Sequence, residues 1–191
     1  MAAARVSLLD VNVLVALFFP DHVHHDLAHD WFADHRHEGW ATCPLTENGL
    51  IRVACQQPSD DVLVRPADVI ANLERFCRDK LHRTWTDAVS LTDTALFAPQ
   101  FISGHRLLTD VYLLGLAKKM GGRLATFDRT IPVKAVRGGT AELLHVIEPS
   151  PYKKSRGQRP GSPIQTTKTN LARAAIAAGT TVARRTVTLG R

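Results

Sequence analysis

Cysteine is scarce in this 191-residue chain, with three residues at Cys43, Cys55 and Cys77. An odd number so widely spaced builds neither a disulfide framework nor a CxxC metal knuckle. Such thiols are expected as buried side chains in a reducing compartment. Long apolar runs are missing too. The stretch 6–19 is too short to span a bilayer. Asp10 and Asn12 interrupt it, and the core of a signal peptide does not carry a central carboxylate. The expectation is a soluble, cytoplasmic protein with no membrane association, in which this stretch is a buried strand running into a helix. Acidic residues are absent from Pro151 onward, where nine Lys and Arg occur. The first 150 residues hold 15 basic and 18 acidic side chains, so the formal charge of +6 divides into a body of −3 and a tail of +9. The basic balance therefore describes the tail and says little about what the body binds.

What is present suits one domain: 45% hydrophobic residues, no internal repeat, and length enough for a single sizeable core. Short strands are expected over 5–9, 40–43, 123–127 and 143–147, with 83–86 and 89–91 as further candidates. Helices are expected over 11–19, 22–37, 44–55, 66–80 and 107–120. Pro20 closes the first, Pro44 opens the third and Gly121-Gly122 stops the last. Residues 58–61 read as a loop. Short apolar strands alternating with amphipathic helices imply an α/β fold of three layers, with a central parallel sheet flanked by helices. The expected division is a folded domain over 1–149 and a basic tail over 150–191. The tail opens YKKSRGQRPGSP, a composition that cannot bury a core, and its Ala-rich stretch 171–178 suits a short helix.

In parallel sheets, reactive groups sit beyond the carboxyl ends of the strands. Asp10 follows the strand VSLL and Asp128 follows RLATF. Glu47 in LTEN and Asp110 in LLTDVYLL stand near helix starts that can face the same place. Hard cations such as Mg²⁺ take oxygen ligands from a few carboxylates, water and phosphate. Four converging acids would make a phosphodiesterase site with one or two metals. Each also has a structural explanation. Asp110 and Glu47 suit the first turn of a helix, and Asp128 can open the turn DRT. Asp10 is the hardest to explain by packing, because an unpaired charge in an apolar run is costly.

LLDVNVLVALFFPDH resembles the opening of PIN-domain proteins of the VapC toxin type. PLTENGLIRV resembles the second acidic motif of that family, and ISGHRLLTDVYLLGLAKKMGGRLATFDRTI its third and fourth. The resemblance covers about 7–147, and the tail lies outside it. It implies a PIN-like nuclease domain whose acids are Asp10, Glu47, Asp110 and Asp128, with Asn12, Thr109 and Thr126 as the accompanying polar residues. It further implies a Mg²⁺-dependent endoribonuclease (Mn²⁺ serving as well) with RNA as substrate. Its partners would be a VapB-type antitoxin protein and a second copy of itself in a homodimer. The rival reading is a non-catalytic module of the same fold that binds RNA or the antitoxin.

Six of the nine histidines lie between His22 and His37. His22, His25 and His29 can share a helical face, but no HExxH or Cys/His pattern completes a zinc site. His105 can meet substrate or cap its loop. Arg52, Arg106, Lys118, Lys119 and Arg129 lie near the acidic motifs, where RNA phosphates would pass.

Overall fold

The computed structural model describes residues 5–56 and 64–149. The expected loop at 58–61 and the tail, with its helix at 171–178, lie outside the described residues. Five strands form one sheet: β1 (Ser7–Leu9), β2 (Trp40–Thr42), β3 (His82–Thr84), β4 (Arg123–Thr126) and β5 (Leu144–Val146). Their order is β3-β2-β1-β4-β5 and every pairing is parallel. The main helices are α1 (Val11–Phe18), α2 (His25–His35), α3 (Pro44–Gln56), α4 (Pro66–Cys77) and α5 (Leu108–Lys119).

The strands are short, and alternation divides their side chains between two cores. Leu8, Ala41 and Leu124 face α5 and the segments carrying Trp85, Phe97 and Val136. Leu9, Trp40 and Ala125 face the other way, onto residues of α1, α2, α3 and α4. Both faces are thus covered, which gives three layers and matches the architecture expected from sequence.

Local chemistry moves several boundaries. α2 begins at His25 because the preceding residues close a turn, in which the His25 amide bonds the His22 carbonyl and the His24 amide the His22 ring. α4 stops at Cys77 rather than 80. Asp79 there bonds the Leu81 amide through its side chain and the His82 amide through its carbonyl. The candidate strand at 89–91 is not one. Ser90 and Asp93 instead bond amides from Thr92 to Phe97 in successive turns. Val89 and Leu91 still pack on the core, which explains their apolar character.

The histidine-rich stretch has a structural use. His25 Nδ1 donates to the Ala16 carbonyl at 2.8 Å, and His29 Nε2 to the Leu17 carbonyl at 3.0 Å. These carbonyls belong to the last turn of α1, where no intrahelical donor reaches them. The two rings therefore fasten α2 to the end of α1.

The α5 layer is sealed by one close approach. Gly115 lies against the fully buried ring of Phe97, and a Cβ there would fall inside the ring's van der Waals envelope. Overpacking of a filled core costs about 1–3 kcal/mol. Gly115→Ala should therefore destabilise the protein by about that amount. Denaturant unfolding checks it, with a lowered midpoint and unchanged slope expected.

Candidate active site at the carboxyl ends of β1 and β4

β1 has β2 on one side and β4 on the other, so the winding of the sheet reverses direction there. Such a switch point leaves an opening beyond the strand ends. Asp10 stands at the end of β1 and initiates α1, its carbonyl accepting the Leu14 amide. Its own amide donates to the Ala125 carbonyl at 3.1 Å, continuing the pairing with β4. Only 4% of Asp10 is exposed. Burial pushes its carboxyl above the usual range. The hydroxyl of Thr126, and the backbone of Val11 and Asn12, work against that shift.

Thr126 is the hinge of the arrangement. Its Oγ1 donates to Asp10 Oδ2 at 2.8 Å and accepts the Asp128 amide at 3.1 Å. One fully buried hydroxyl thus ties the acid after β1 to the acid after β4. Asp128 is fixed from the other side, because its Oδ1 accepts both the amide and the hydroxyl of Thr130 at 2.7 Å. The DRT turn expected from sequence is therefore present, and it orients this carboxylate. Beside it, the Phe127 ring lies 4.5 Å from His24 and 6.4 Å from His22 between centroids.

Asp110, in the first turn of α5, completes a trio. Burial first, then the charges of Asp10 and Asp128, raise its carboxyl to about 6. Asp128 likewise acts on Asp10. Acids from three separate chain segments are therefore within electrostatic reach, Asp128 acting on Asp10 and both acting on Asp110.

Glu47 does not belong to this trio. The Thr42 hydroxyl donates to Glu47 Oε1 at 2.6 Å, and Thr42 also meets His82 Nε2 at 2.9 Å. The charge of Glu47 acts on His82 and Cys77 rather than on the aspartates. Alternation explains this, since Thr42 shares its side of the sheet with Trp40, whereas Thr126 shares its side with Leu124. Asn12 and Thr109 are exposed in the first turns of α1 and α5. His105 is exposed in the short 3-10 turn leading into α5. Of the nearby cations, Arg129 pairs with Glu148, and Lys118 donates to the Arg137 carbonyl. Thr42 and His82 were not among the residues expected to matter. The one signal for them was a threonine two residues ahead of the helix-opening Pro44.

Among the described residues, no three His, Cys, Asp or Glu side chains form a ready-made ligand set. The trio is an electrostatic cluster, not a closed coordination sphere. Its chemistry nevertheless fits a hard divalent cation. The donors are carboxylate oxygens, two of them are disfavoured in their charged form by burial and mutual repulsion, and a cation relieves both effects.

The PIN domain matches residues 7–136 of the chain. Among curated proteins, Ribonuclease VapC39 of Mycobacterium tuberculosis H37Rv is 41% identical over 132 residues, which are 69% of this chain and 95% of the relative. Ribonuclease VapC44 of the same strain is 38% identical over 141 residues, 74% of this chain and 99% of the relative. Ribonuclease VapC38 is 42% identical over 123 residues, 64% of this chain and 85% of the relative.

The raised carboxyl of Asp110 gives a pH dependence. With its value near 6 in the folded chain against 3.8 for the ordinary group, the folded state holds the proton longer than the unfolded one. Its contribution to stability is then present below the ordinary value and is lost as pH rises through about 6. Asp110→Asn removes that loss. In a chelator, the variant should gain in melting temperature over wild type as pH rises from about 4 to about 6.5, and level off above. A pH-independent difference would show that Asp110 is not under this pressure.

Proposed function

Since this chain belongs to the PIN-domain family and aligns through its body with proteins named Ribonuclease VapC, we propose that it is a Mg²⁺-dependent endoribonuclease, the toxin half of a toxin–antitoxin pair. The observation that carries this reading is the grouping of Asp10, Asp110 and Asp128 at the switch point of the sheet, where burial and neighbouring carboxylate charge raise the carboxyls of Asp10 and Asp110. Three crowded carboxylates are a liability to stability. Binding a divalent cation and a phosphodiester turns them to use.

In this proposal Asp10, Asp110 and Asp128 hold the cation, Mg²⁺ or Mn²⁺. A bound ion of this kind activates water for attack on the RNA phosphodiester and offsets charge on the leaving oxygen. Thr126 fixes the rotamer of Asp10 and the start of the Asp128 turn, so the two acids keep a set separation. Thr130 fixes Asp128 itself. Glu47 is the fourth acid of the proposed set, and it has the Thr42 hydrogen bond to give up on joining the other three. Asn12 and Thr109, next to the aspartates and open to solvent, are assigned to orienting water or substrate. A VapB-type antitoxin and a homodimer within that complex complete the proposal, with action in the cytoplasm. Among the described residues, no helix is long and apolar enough to cross a membrane.

Asp10→Asn separates this reading from a non-catalytic binding module of the same fold. The change keeps shape and removes one negative charge. Cleavage of a bulk RNA substrate in Mg²⁺ should drop by at least about 100-fold, beyond the loss that comes from damage to a ligand's supporting group. RNA binding should hold or improve, because phosphate repulsion falls. Thr126→Val should cost roughly 10- to 100-fold with the fold intact. Mg²⁺ should raise the melting temperature of wild type by mass action and leave the Asp10→Asn, Asp110→Asn pair unmoved. Growth arrest on induction, undiminished by Asp10→Asn and without new RNA ends, would favour the binding module.

A further inference from the structure

The turn between α1 and α2 brings two histidines to the edge of the acid cluster. The His22 amide donates to the Phe19 carbonyl, the His25 amide to the His22 carbonyl, and the Ala28 amide to the His24 carbonyl, from which α2 starts. His25 and His29 hold the last carbonyls of α1, so the turn is tied down from both helices. It meets the chain just past β4. The Phe127 ring lies 4.5 Å from His24 between centroids, with planes 31° apart, and 6.4 Å from His22, with planes 26° apart. His22 is pinned further, because its Nδ1 accepts the His24 amide at 3.2 Å. Phe127 stands between Thr126 and Asp128 in the chain. Its ring packs on the core formed with α1 and α2, so these three rings flank the acids from the side of the sheet opposite α5.

Packing does not account for the outer part of this group. Val23, between the two histidines, is 88% exposed. His24 is exposed as well. Among the described residues no hydrogen bond reaches its ring nitrogens, whereas His25 and His29 each spend one on α1. The chemistry around the rings selects the kind of ligand. The segment 19–30 holds no Lys or Arg and three acids, Asp21, Asp26 and Asp30. Burial first, then His24 and His25, lower the pKa of His22, which leaves its ring uncharged at neutral pH. A phosphate has little to hold it here. A nucleobase brings a flat π face and polar edges without negative charge, and aromatic rings bind it by stacking.

We infer that His24, with Phe127 behind it and His22 beside it, forms a stacking ledge for one base of single-stranded RNA, next to the phosphodiester that the aspartates would cleave. The inference rests on the nuclease reading and adds to it a place for the substrate's base. RNA is favoured over a protein partner because the ledge is continuous with the acid site, Phe127 and Asp128 being consecutive residues. A base stacked there fixes which phosphate faces Asp128, which makes the ledge a determinant of cleavage position.

The test uses the full chain with Asp10→Asn, in chelator, so that binding is read without cleavage. A labelled oligoadenylate is titrated at several salt concentrations against this protein and against the same protein with His24→Ala or His24→Phe. Loss of one stacked base should weaken binding by His24→Ala about 5- to 100-fold. The logarithmic salt slope should stay as it was, because no phosphate contact is removed. His24→Phe keeps a stacking ring and should keep most of the affinity. Oligonucleotides carrying one abasic ribose at successive positions then locate the base. At one position the abasic site should weaken the parent protein by a similar factor and leave His24→Ala unmoved. Equal affinity of His24→Ala and its parent would overturn the inference and leave this face to a protein partner. A loss accompanied by a smaller salt slope would overturn it too, by making the contact one to phosphate. So would an abasic penalty that His24→Ala does not diminish. The nuclease reading fails separately, if wild type leaves RNA intact in Mg²⁺ while His24→Ala still loses binding.

Discussion

A carboxylate as enclosed as Asp10 is tenable only with partners, and beside the backbone of Val11 and Asn12 the Thr126 hydroxyl at 2.8 Å is its side-chain partner. The other features of the site depend on this hydrogen bond. It requires β1 and β4 to be neighbours in register, with Leu9 opposite Ala125. It requires Thr126 to lie on the α5 side, which places it within the electrostatic reach of Asp110. Because the same oxygen also accepts the Asp128 amide, the turn after β4 is set by the group that anchors the residue after β1. The hydroxyl has one proton to give, and Asp10 takes it. The direction of the whole relay is thereby determined.

Much of this was legible in the sequence, and the reasons differ from residue to residue. Asp10 stood out because a charge inside LLDVNVLVAL has no packing explanation. The helices were readable from their ends: Pro44 and Pro66 open α3 and α4, and Gly121, at φ 71, follows the end of α5. The strand proposed at 89–91 misled because partly buried apolar residues in a turn-rich strap look locally like an edge strand. Periodicity cannot see where backbone amides are spent.

Glu47 shows a subtler limit. Its place in the PLTENGLIRV motif is clear, but the side of the sheet to which its carboxylate turns depends on Thr42 and, through Thr42, on His82, 40 residues further on. Such a contact is fixed by the register of β2 with β3, which sequence reading does not supply. The histidine stretch shows the converse. Composition invited a metal reading, and two of its rings, His25 and His29, are occupied with the last carbonyls of α1. A residue type suited to catalysis is equally suited to closing a helix.

The span between Asp10 and Thr126 is 116 residues. A contact of that sequence separation forms late, because the chain between must be organised before the closure entropy is recovered. During synthesis the chain emerges from its N-terminus, so Asp10 appears among the first residues and waits for most of the domain. Until Thr126 and Asp128 have left the ribosome there is no trio, and a chain interrupted anywhere before β4 lacks both the anchoring hydroxyl and the last acid. A nascent or broken chain of this kind therefore holds its buried carboxylate without the group that anchors it.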